Sequence, residues 1–509
     1  MKRIIEFIVF ILLVGISLPI YAKIAEKPLV VLIPSYNNKE WYKKNLDTVY
    51  FQNYENYRVI YIDDCSPDGT GDLVEKYVKQ VGQEHRTIVI KNKQRVRALA
   101  NLYRGMQLCH DDEIVMTYDG DDWFAHNEVF NLINEIYQDE QIWITYGSFK
   151  NWPTGEKGVS KPVTEEMIVN RWYRKKWWYP GQLRTYYGWL FKQIKLEDLI
   201  FEGPYFRGNF FPANYDLAIY YPMMEMAGRH FKYIDEAIYV RNVQTPLNDF
   251  KVNKEVQVLG SHILRHKKPY ENLQGPTSGY FDHLHDACAD IILFSANRPE
   301  QLKATLISFS DFLLDVGQVT VVYQARNEQI QEEYKKLSSL FDSAIFAEHP
   351  FGSSVSLQKL VLTALRDAPA EHVLFATDGI IAHSFVDLNR CINLLERTFA
   401  YGFYLAFGDT SQYSYYTGHS QALPPRVILE SDVAAWVFGY GQRDWREYHN
   451  MAMTLYRKQD VFEQFQQMTF NSPEDLFNQW RAIEVNLEKV GLCFDVPKVG
   501  YQQWSMPIY

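Results

Sequence analysis

The chain has 509 residues, 47% of them apolar, and a formal net charge of −10. That length exceeds what one hydrophobic core serves, so two or three globular units are expected. The acidic balance, with no long basic tract, argues against a dedicated nucleic-acid binder. The five cysteines (Cys65, Cys109, Cys288, Cys391 and Cys493) are scattered and odd in number, so neither a disulfide framework nor a zinc site of paired cysteines is implied.

In chain order, residues 1–22 stand apart. Lys2 and Arg3 precede a mostly apolar run that closes on Ile20-Tyr21-Ala22. This is the layout of a secretory signal peptide. An uncleaved signal anchor is the alternative, although the run is short for a spanning helix of ~20 apolar residues. Either reading puts the protein on an export route or ties it to a membrane. From Lys27, strands predicted over 28–33, 57–62, 87–91, 113–117 and 142–146 alternate with helices over 39–51, 69–81, 96–109 and 127–137. Such alternation builds a parallel or mostly parallel sheet with helices on both faces.

Across 171–184 the periodicity stops. Trp172, Tyr173, Trp177, Trp178 and Tyr179 are interleaved there with Arg171, Arg174, Lys175, Lys176 and Arg184. A helix follows over 215–226, ended by Gly228, then a polar helix over 251–268 and a linker over 269–279. Alternation resumes with strands over 289–294, 318–323, 372–376 and 403–406, and helices over 299–309, 328–341 and 355–368. The order strand, Asn-Arg-Pro turn, helix, strand repeats that of the amino end. The expected organisation is therefore a leader (1–22), a first α/β domain (27–250), a helical connector (251–280) and a second, related α/β domain (281–509).

Three strand ends of the first domain carry chemistry. They read Ile33-Pro34-Ser35-Tyr36-Asn37, then Asp63-Asp64-Cys65-Ser66-Pro67-Asp68-Gly69-Thr70, then Tyr118-Asp119-Gly120-Asp121-Asp122-Trp123. The last masses three carboxylates within four residues. They repel one another unless a cation lies between them, and Mg²⁺ or Mn²⁺ takes one or two carboxylates plus substrate phosphates. A solvated acidic turn is the plainer alternative. In open α/β sheets ligands bind at such strand ends.

In order and spacing, these three turns resemble family 2 glycosyltransferases of the GT-A fold, over roughly 27–248. The resemblance implies an inverting transfer from a nucleotide sugar, a UDP-sugar first among them, to a glycan, lipid or protein acceptor. It implies that Pro34 and Tyr36 frame the base, that Asp64 hydrogen-bonds it, and that Asp119 lies near the ribose and the metal. Asp121 would ligate Mn²⁺ or Mg²⁺, while Asp63 and Asp122 shape turns. The family's acidic pair before a late helix matches Asn214-Tyr215-Asp216, so only Asp216 carries over as general base, and an Asp there also caps a helix. Arg95 or Arg97 matches a basic residue near the diphosphate, with Asn101 packing nearby. Arg184 and Trp189 resemble an acceptor-side segment, in which Arg184 holds a phosphate or sugar hydroxyl. A surface ion pair is the alternative for Arg184, and Arg241 has the same two readings.

The basic-aromatic stretch admits nucleic-acid stacking, a membrane surface, a packed loop or an acceptor loop. The family layout favours the last. In the second domain Phe294-Ser295-Ala296-Asn297-Arg298-Pro299 is similar to the first-strand turn, but Thr377-Asp378-Gly379-Ile380 keeps one carboxylate. That half is expected to be degenerate, with Asp378 and His383 at most a weak site. A rival reading for the whole chain is a secreted, non-catalytic carbohydrate- or nucleotide-binding scaffold.

Overall fold

The computed structural model describes residues 24–176, 180–245, 254–277, 284, 286–350, 356–414 and 417–501. The predicted leader, Trp177, Trp178 and Tyr179, and part of the connector lie outside them.

The first sheet has eight strands in the order β3-β2-β1-β4-β7-β6-β8-β5. They are β1 (Leu29–Ser35), β2 (Tyr57–Asp63), β3 (Thr87–Lys91), β4 (Ile114–Thr117), β5 (Trp123–Phe124), β6 (Ile144–Trp152), β7 (Gly181–Tyr187) and β8 (Phe231–Asn242). Strands β3, β2, β1 and β4 run parallel, and β7 joins β4 in the opposite direction. The fold is α/β and GT-A-like, with a mixed sheet. Alternate residues of β1 serve opposite faces. Leu29, Val31 and Ile33 join a core with Leu46, Val49, Val74 and Val78, from the helices Tyr42–Tyr50 and Thr70–Gln80. Val30 and Leu32 meet Leu99, Leu102 and Met106 of the helix Arg97–Gln107. Both faces are therefore covered, as the near-continuous apolar strands require.

A second sheet of nine strands follows: β9 (Ala289–Ala296), β10 (Val316–Gln324), β11 (Ile345–Glu348), β12 (His372–Thr377), β13 (Gly402–Tyr404), β14 (Arg426–Glu430), β15 (Val433–Val437), β16 (Thr454–Arg457) and β17 (Val490–Phe494). Their order in the sheet is β11-β10-β9-β12-β16-β13-β17-β15-β14. From β11 to β15 it repeats the strand directions of the first sheet: three parallel neighbours, two antiparallel steps, one parallel pair, one antiparallel edge. The turns after β1 and β9 match as well, since Asn37 and Asn297 both take the left-handed conformation, at φ 56° and 58°.

The two halves share apolar packing. The cluster that holds Leu32 and Tyr103 runs on without a break to Ile291, Val427 and Leu429. Arg104 also donates to the carbonyl of Ile428 at 2.9 Å, and Lys489 pairs with Glu197 at 3.0 Å. The helix predicted at 251–268 is described over Lys254–His266 and packs on this shared region through Leu264.

Candidate active site

The crevice at the carboxyl ends of β1, β2 and β4 has a volume of about 300 Å³ and is bounded by Pro34, Tyr36, Asp64, Asp119, Asp121 and Asp216 among others. The three turns that form it brace one another. Ser66 Oγ accepts from Asn37 N at 3.0 Å, Thr70 Oγ1 from Asn38 N at 3.0 Å, and Asp68 from Lys39 N at 3.1 Å. Asp64 N donates to the Ser35 carbonyl at 2.8 Å. Asp63 accepts from Ser66 N, and its carboxylate lies where a Cβ on Gly71 would stand, so the turn closes tightly.

The acidic turn is fixed from below. Asn45, fully buried in the helix Tyr42–Tyr50, donates to the carbonyls of Asp119 and Asp122 at 2.9 and 2.8 Å. Gly120 is required by close approach, since a Cβ there would fall 2.7 Å from Asn38 Nδ2 and 2.9 Å from Ser35 Oγ. Asp122 turns inward, accepting from Tyr239 Oη and Asn242 N at 2.7 Å each, and serves the fold rather than the crevice.

Asp119 and Asp121 remain at the cavity. Asp119 accepts from Tyr215 Oη at 2.7 Å and from Gln182 Nε2 at 3.2 Å. Burial, then the charge of Asp119, pushes the Asp121 carboxyl up to about 6, with Thr245 and Arg241 pulling the other way. A cation would reverse that strain. Two neighbouring carboxylates at the crevice suit Mg²⁺ or Mn²⁺ completed by substrate phosphate. Among the described residues no group of three or more His, Cys, Asp or Glu is placed to hold a metal ion.

Asp64 is buried, and both its oxygens are engaged. Oδ1 accepts from Asn92 Nδ2 and Val96 N, and Oδ2 from Arg97 N, at 2.8–2.9 Å. It therefore organises the loop before the helix Arg97–Gln107 as well as facing the crevice. Asn92 is held in turn by Asn101 at 2.7 Å. Arg95 lies over the Tyr36 ring at 3.8 Å, covering one of its faces, and Arg97 lies over Phe206 at 4.7 Å. Both arginines bound the crevice, as does Arg241.

Asp216 stands in the first turn of the helix Tyr215–Ala227. Its Oδ1 accepts from Leu217 N at 2.9 Å and its Oδ2 from Arg184 at 3.3 Å. Arg184 is not a surface residue. Only 7% exposed, it also donates to the Pro180 carbonyl and lies near the Tyr220 ring.

Trp189 does not belong to the site. β7 runs antiparallel to β4, so Arg184 sits opposite Thr117 at the crevice end while Tyr187 sits opposite Ile114 at the far end. Trp189 follows Tyr187 and is buried edge-on against Trp143. Within the described part of the basic-aromatic stretch Tyr173 and Arg174 pack inward, whereas Lys175 and Lys176 are exposed. Tyr173 is core, and Arg174 makes a buried bidentate pair with Glu225 at 2.6 and 2.8 Å.

In the second half the Asp378 carboxylate accepts from Ser295 Oγ at 2.9 Å and faces Arg298 at 3.7 Å, while His383 is exposed beside Ser384. Asn45, Gln182, Tyr215 and Tyr239 were invisible as site residues in the sequence. A lone Asn inside a helix or a Tyr at its start carries no local signal of a partner far away in the chain.

The three turns thus meet at the carboxyl ends of neighbouring strands of a GT-A-like sheet. Residues 30–199 match the family model Glycosyl transferase family 2, so the chain carries a family 2 glycosyltransferase domain, followed by a second α/β region.

Among its relatives is the "Putative teichuronic acid biosynthesis glycosyltransferase TuaG" of Bacillus subtilis (strain 168), 41% identical over 54 residues, or 10% of this chain and 21% of that protein. Another is "Glycosyltransferase GlyA" of Streptococcus pneumoniae serotype 4, 24% identical over 134 residues, or 26% of this chain and 18% of that protein. The chain thus spans about a fifth of the length of these two relatives. Solved structures that resemble it include S. aureus TarS 1–349 in complex with UDP-GlcNAc, at 16% identity and a TM-score of 0.31, covering 43% of this chain and 59% of that one. The mannosyltransferase PcManGT from Pyrobaculum calidifontis, in complex with GDP-Man and Mn²⁺, has 17% identity and a TM-score of 0.33, covering 48% of this chain and 66% of that one.

Proposed function

We propose that the chain is an inverting glycosyltransferase. It moves a sugar from a nucleoside-diphosphate donor, a UDP-sugar in the first instance, to a hydroxyl of a glycan, lipid or protein acceptor, with Mn²⁺ or Mg²⁺ held by Asp119 and Asp121. The observation that carries this reading is the pair of carboxylates, Asp119 and Asp121, that bound the crevice within the stretch that matches family 2, while the third is turned inward.

Pro34 and Tyr36 border the place of the base, and Arg97 and Arg241 add positive charge beside the diphosphate. The metal, when bound, neutralises charge that gathers on that diphosphate as the glycosidic bond breaks. Asp216 takes the proton of the acceptor hydroxyl as its oxygen attacks the anomeric carbon from the side opposite the leaving group. Its two oxygens are already held, by Leu217 N and by Arg184, so the base needs no reorientation. The second half, whose single strand-end carboxylate is balanced by Ser295 and Arg298, is assigned no transfer of its own.

Export or membrane anchoring rests on residues 1–22 alone. Among the described residues no helix is long and apolar enough to cross a membrane.

The test is turnover and binding of a panel of nucleotide sugars, with Mn²⁺ and with chelator. Turnover should need the metal and vanish in Asp121→Ala, whereas Asp216→Asn should bind donor and fail to transfer. Absence of metal-dependent binding to every donor would overturn the enzyme reading in favour of a carbohydrate- or nucleotide-binding scaffold.

A further inference from the structure

Matched strand for strand, the second sheet exceeds the first by one element. That element is β14, which pairs with β15 at the edge, beyond the strands that have counterparts in the first sheet. An edge strand presents unpaired backbone groups, and the first half of the chain takes one of them up. The Ile428 carbonyl accepts from Arg104, in the helix Arg97–Gln107, at 2.9 Å. On either side of it, Val427 and Leu429 continue the apolar cluster that contains Tyr103 of the same helix.

Pro425, just ahead of β14, meets a second part of the first half. Residues 201–210 make a compact excursion before the helix Tyr215–Ala227. Its ends are tied, since Phe201 N donates to the Asn209 carbonyl at 2.7 Å and Gly208 N to the Phe201 carbonyl at 2.9 Å. Gly208, at φ 79°, lies so close to Pro425 that a Cβ on it would fall 2.4 Å from the proline Cβ. Beside it, Arg207 lies over the Tyr440 ring, just beyond β15, at 4.9 Å. β14 and its surroundings therefore touch both the helix and the excursion, which also meet each other where Phe210 packs on Tyr103 at 5.2 Å.

Both of these elements lead to the crevice. Arg97 opens the helix at φ 72°, a conformation that a bulky residue keeps only where its surroundings over-determine it. Asp64 accepts from its amide at 2.8 Å, and its guanidinium lies 4.7 Å over the ring of Phe206, in the excursion. Arg97 bounds the crevice, and the excursion runs on directly into Phe211, Pro212 and Ala213 of the crevice wall. Contacts are thus continuous from Tyr440 and Pro425, through Arg207, Gly208 and Phe206, to Arg97.

We propose that this extra edge of the second half positions Arg97, through Phe206, for the diphosphate of the donor. The inference rests on the transferase reading for what Arg97 meets. Phe206, Pro425 and Tyr440 do not bound the crevice, so they act through Arg97 and not on the ligand.

The test titrates UDP and GDP, with Mn²⁺, into the full-length chain by calorimetry. Phe206→Ala, Tyr440→Ala and Pro425→Gly should each bind the preferred nucleotide roughly ten-fold more weakly than wild type, a loss within reach of one cation–π contact. Tyr440→Phe keeps the ring and should bind as wild type does. In an Arg97→Ala background the losses from Phe206→Ala and Tyr440→Ala should disappear, because the group they position is gone. Amide exchange across residues 206–216 needs no nucleotide. It should be faster in Tyr440→Ala and Pro425→Gly than in wild type, and unchanged in Tyr440→Phe.

Wild-type affinity in both Tyr440→Ala and Pro425→Gly would overturn the proposal. So would a loss that persists undiminished in the Arg97→Ala background, since general loosening of the fold would produce it. Should wild type bind neither nucleotide, the transferase reading falls, and exchange decides on the contact by itself. Faster exchange in the two variants would uphold the positioning, and unchanged exchange would overturn it.

Discussion

Replacing Asp121 by Asn should stabilise the metal-free protein at neutral pH while abolishing transfer. In the folded chain the Asp121 carboxyl is pushed up to about 6 by burial and by Asp119, against an ordinary value of 3.8. Below the ordinary range both folded and unfolded chains hold the proton, and no cost arises. Between about 4 and 6 the unfolded chain releases it first, so the folded state loses ground as pH rises. Above about 6 the loss is complete, at roughly 3 kcal/mol from the full shift and nearer 2 kcal/mol once partial solvent screening is allowed for. Asn keeps the shape and removes the charge. For a chain of 509 residues melting as one body, about 2 kcal/mol corresponds to a rise in melting temperature of roughly 2 °C. Thermal melts at pH 4.5 and 7.5, in chelator and in Mn²⁺, measure it. The variant should gain at pH 7.5 in chelator and gain little at pH 4.5, whereas Mn²⁺ should raise the wild-type midpoint and leave the variant unmoved. A variant that melts at or below the wild type at pH 7.5 in chelator would refute the reasoning, because the carboxylate would then be at rest in its pocket.

Other outcomes follow from the same geometry. Gly120→Ala places a methyl within 2.9 Å of Ser35 and Asn38, and overpacking of this kind costs about 1–3 kcal/mol, read as a lowered melting temperature together with weakened donor binding. His449, buried and held down to about 4, is neutral when folded. The unfolded chain therefore binds the extra proton as pH falls from about 6.5 towards 4, and stability contributed by the neutral ring is lost across that window; melts of His449→Gln should show a flatter acid limb than wild type. Trp189→Ala should cost roughly 3–5 kcal/mol as a core truncation, with acceptor KM unchanged in whatever folded protein survives.

Much of the first sheet could be read from the sequence because its central strands are apolar on both faces and its turns are written in Gly, Pro, Asp and Ser. β3 has the predicted bounds, Thr87–Lys91. β7 was not predicted. It is buried along most of its length, yet Gln182 and Arg184 are polar because they face the crevice, and Thr185 is polar because its hydroxyl pairs with Thr145 and Tyr137. The hydrophobic pattern therefore fails where the site begins. Trp189 misled for the opposite reason: its place in a motif says nothing of sheet direction, and the antiparallel turn of β7 carries it to the far end. The division of labour among the three clustered carboxylates was also partly hidden. Only the positions of Tyr239 and Asn242, more than a hundred residues away, show that Asp122 is turned inward.

The apolar cluster that joins Leu32 and Tyr103 to Val427 and Leu429 changes what the apparent domain boundary means. A cut in the connector would leave each piece with an oily scar, and neither half could be purified as a well-behaved fragment. Heating or denaturant should melt the pair as one cooperative body. The second half, assigned no chemistry, would then still set how long the catalytic half stays folded.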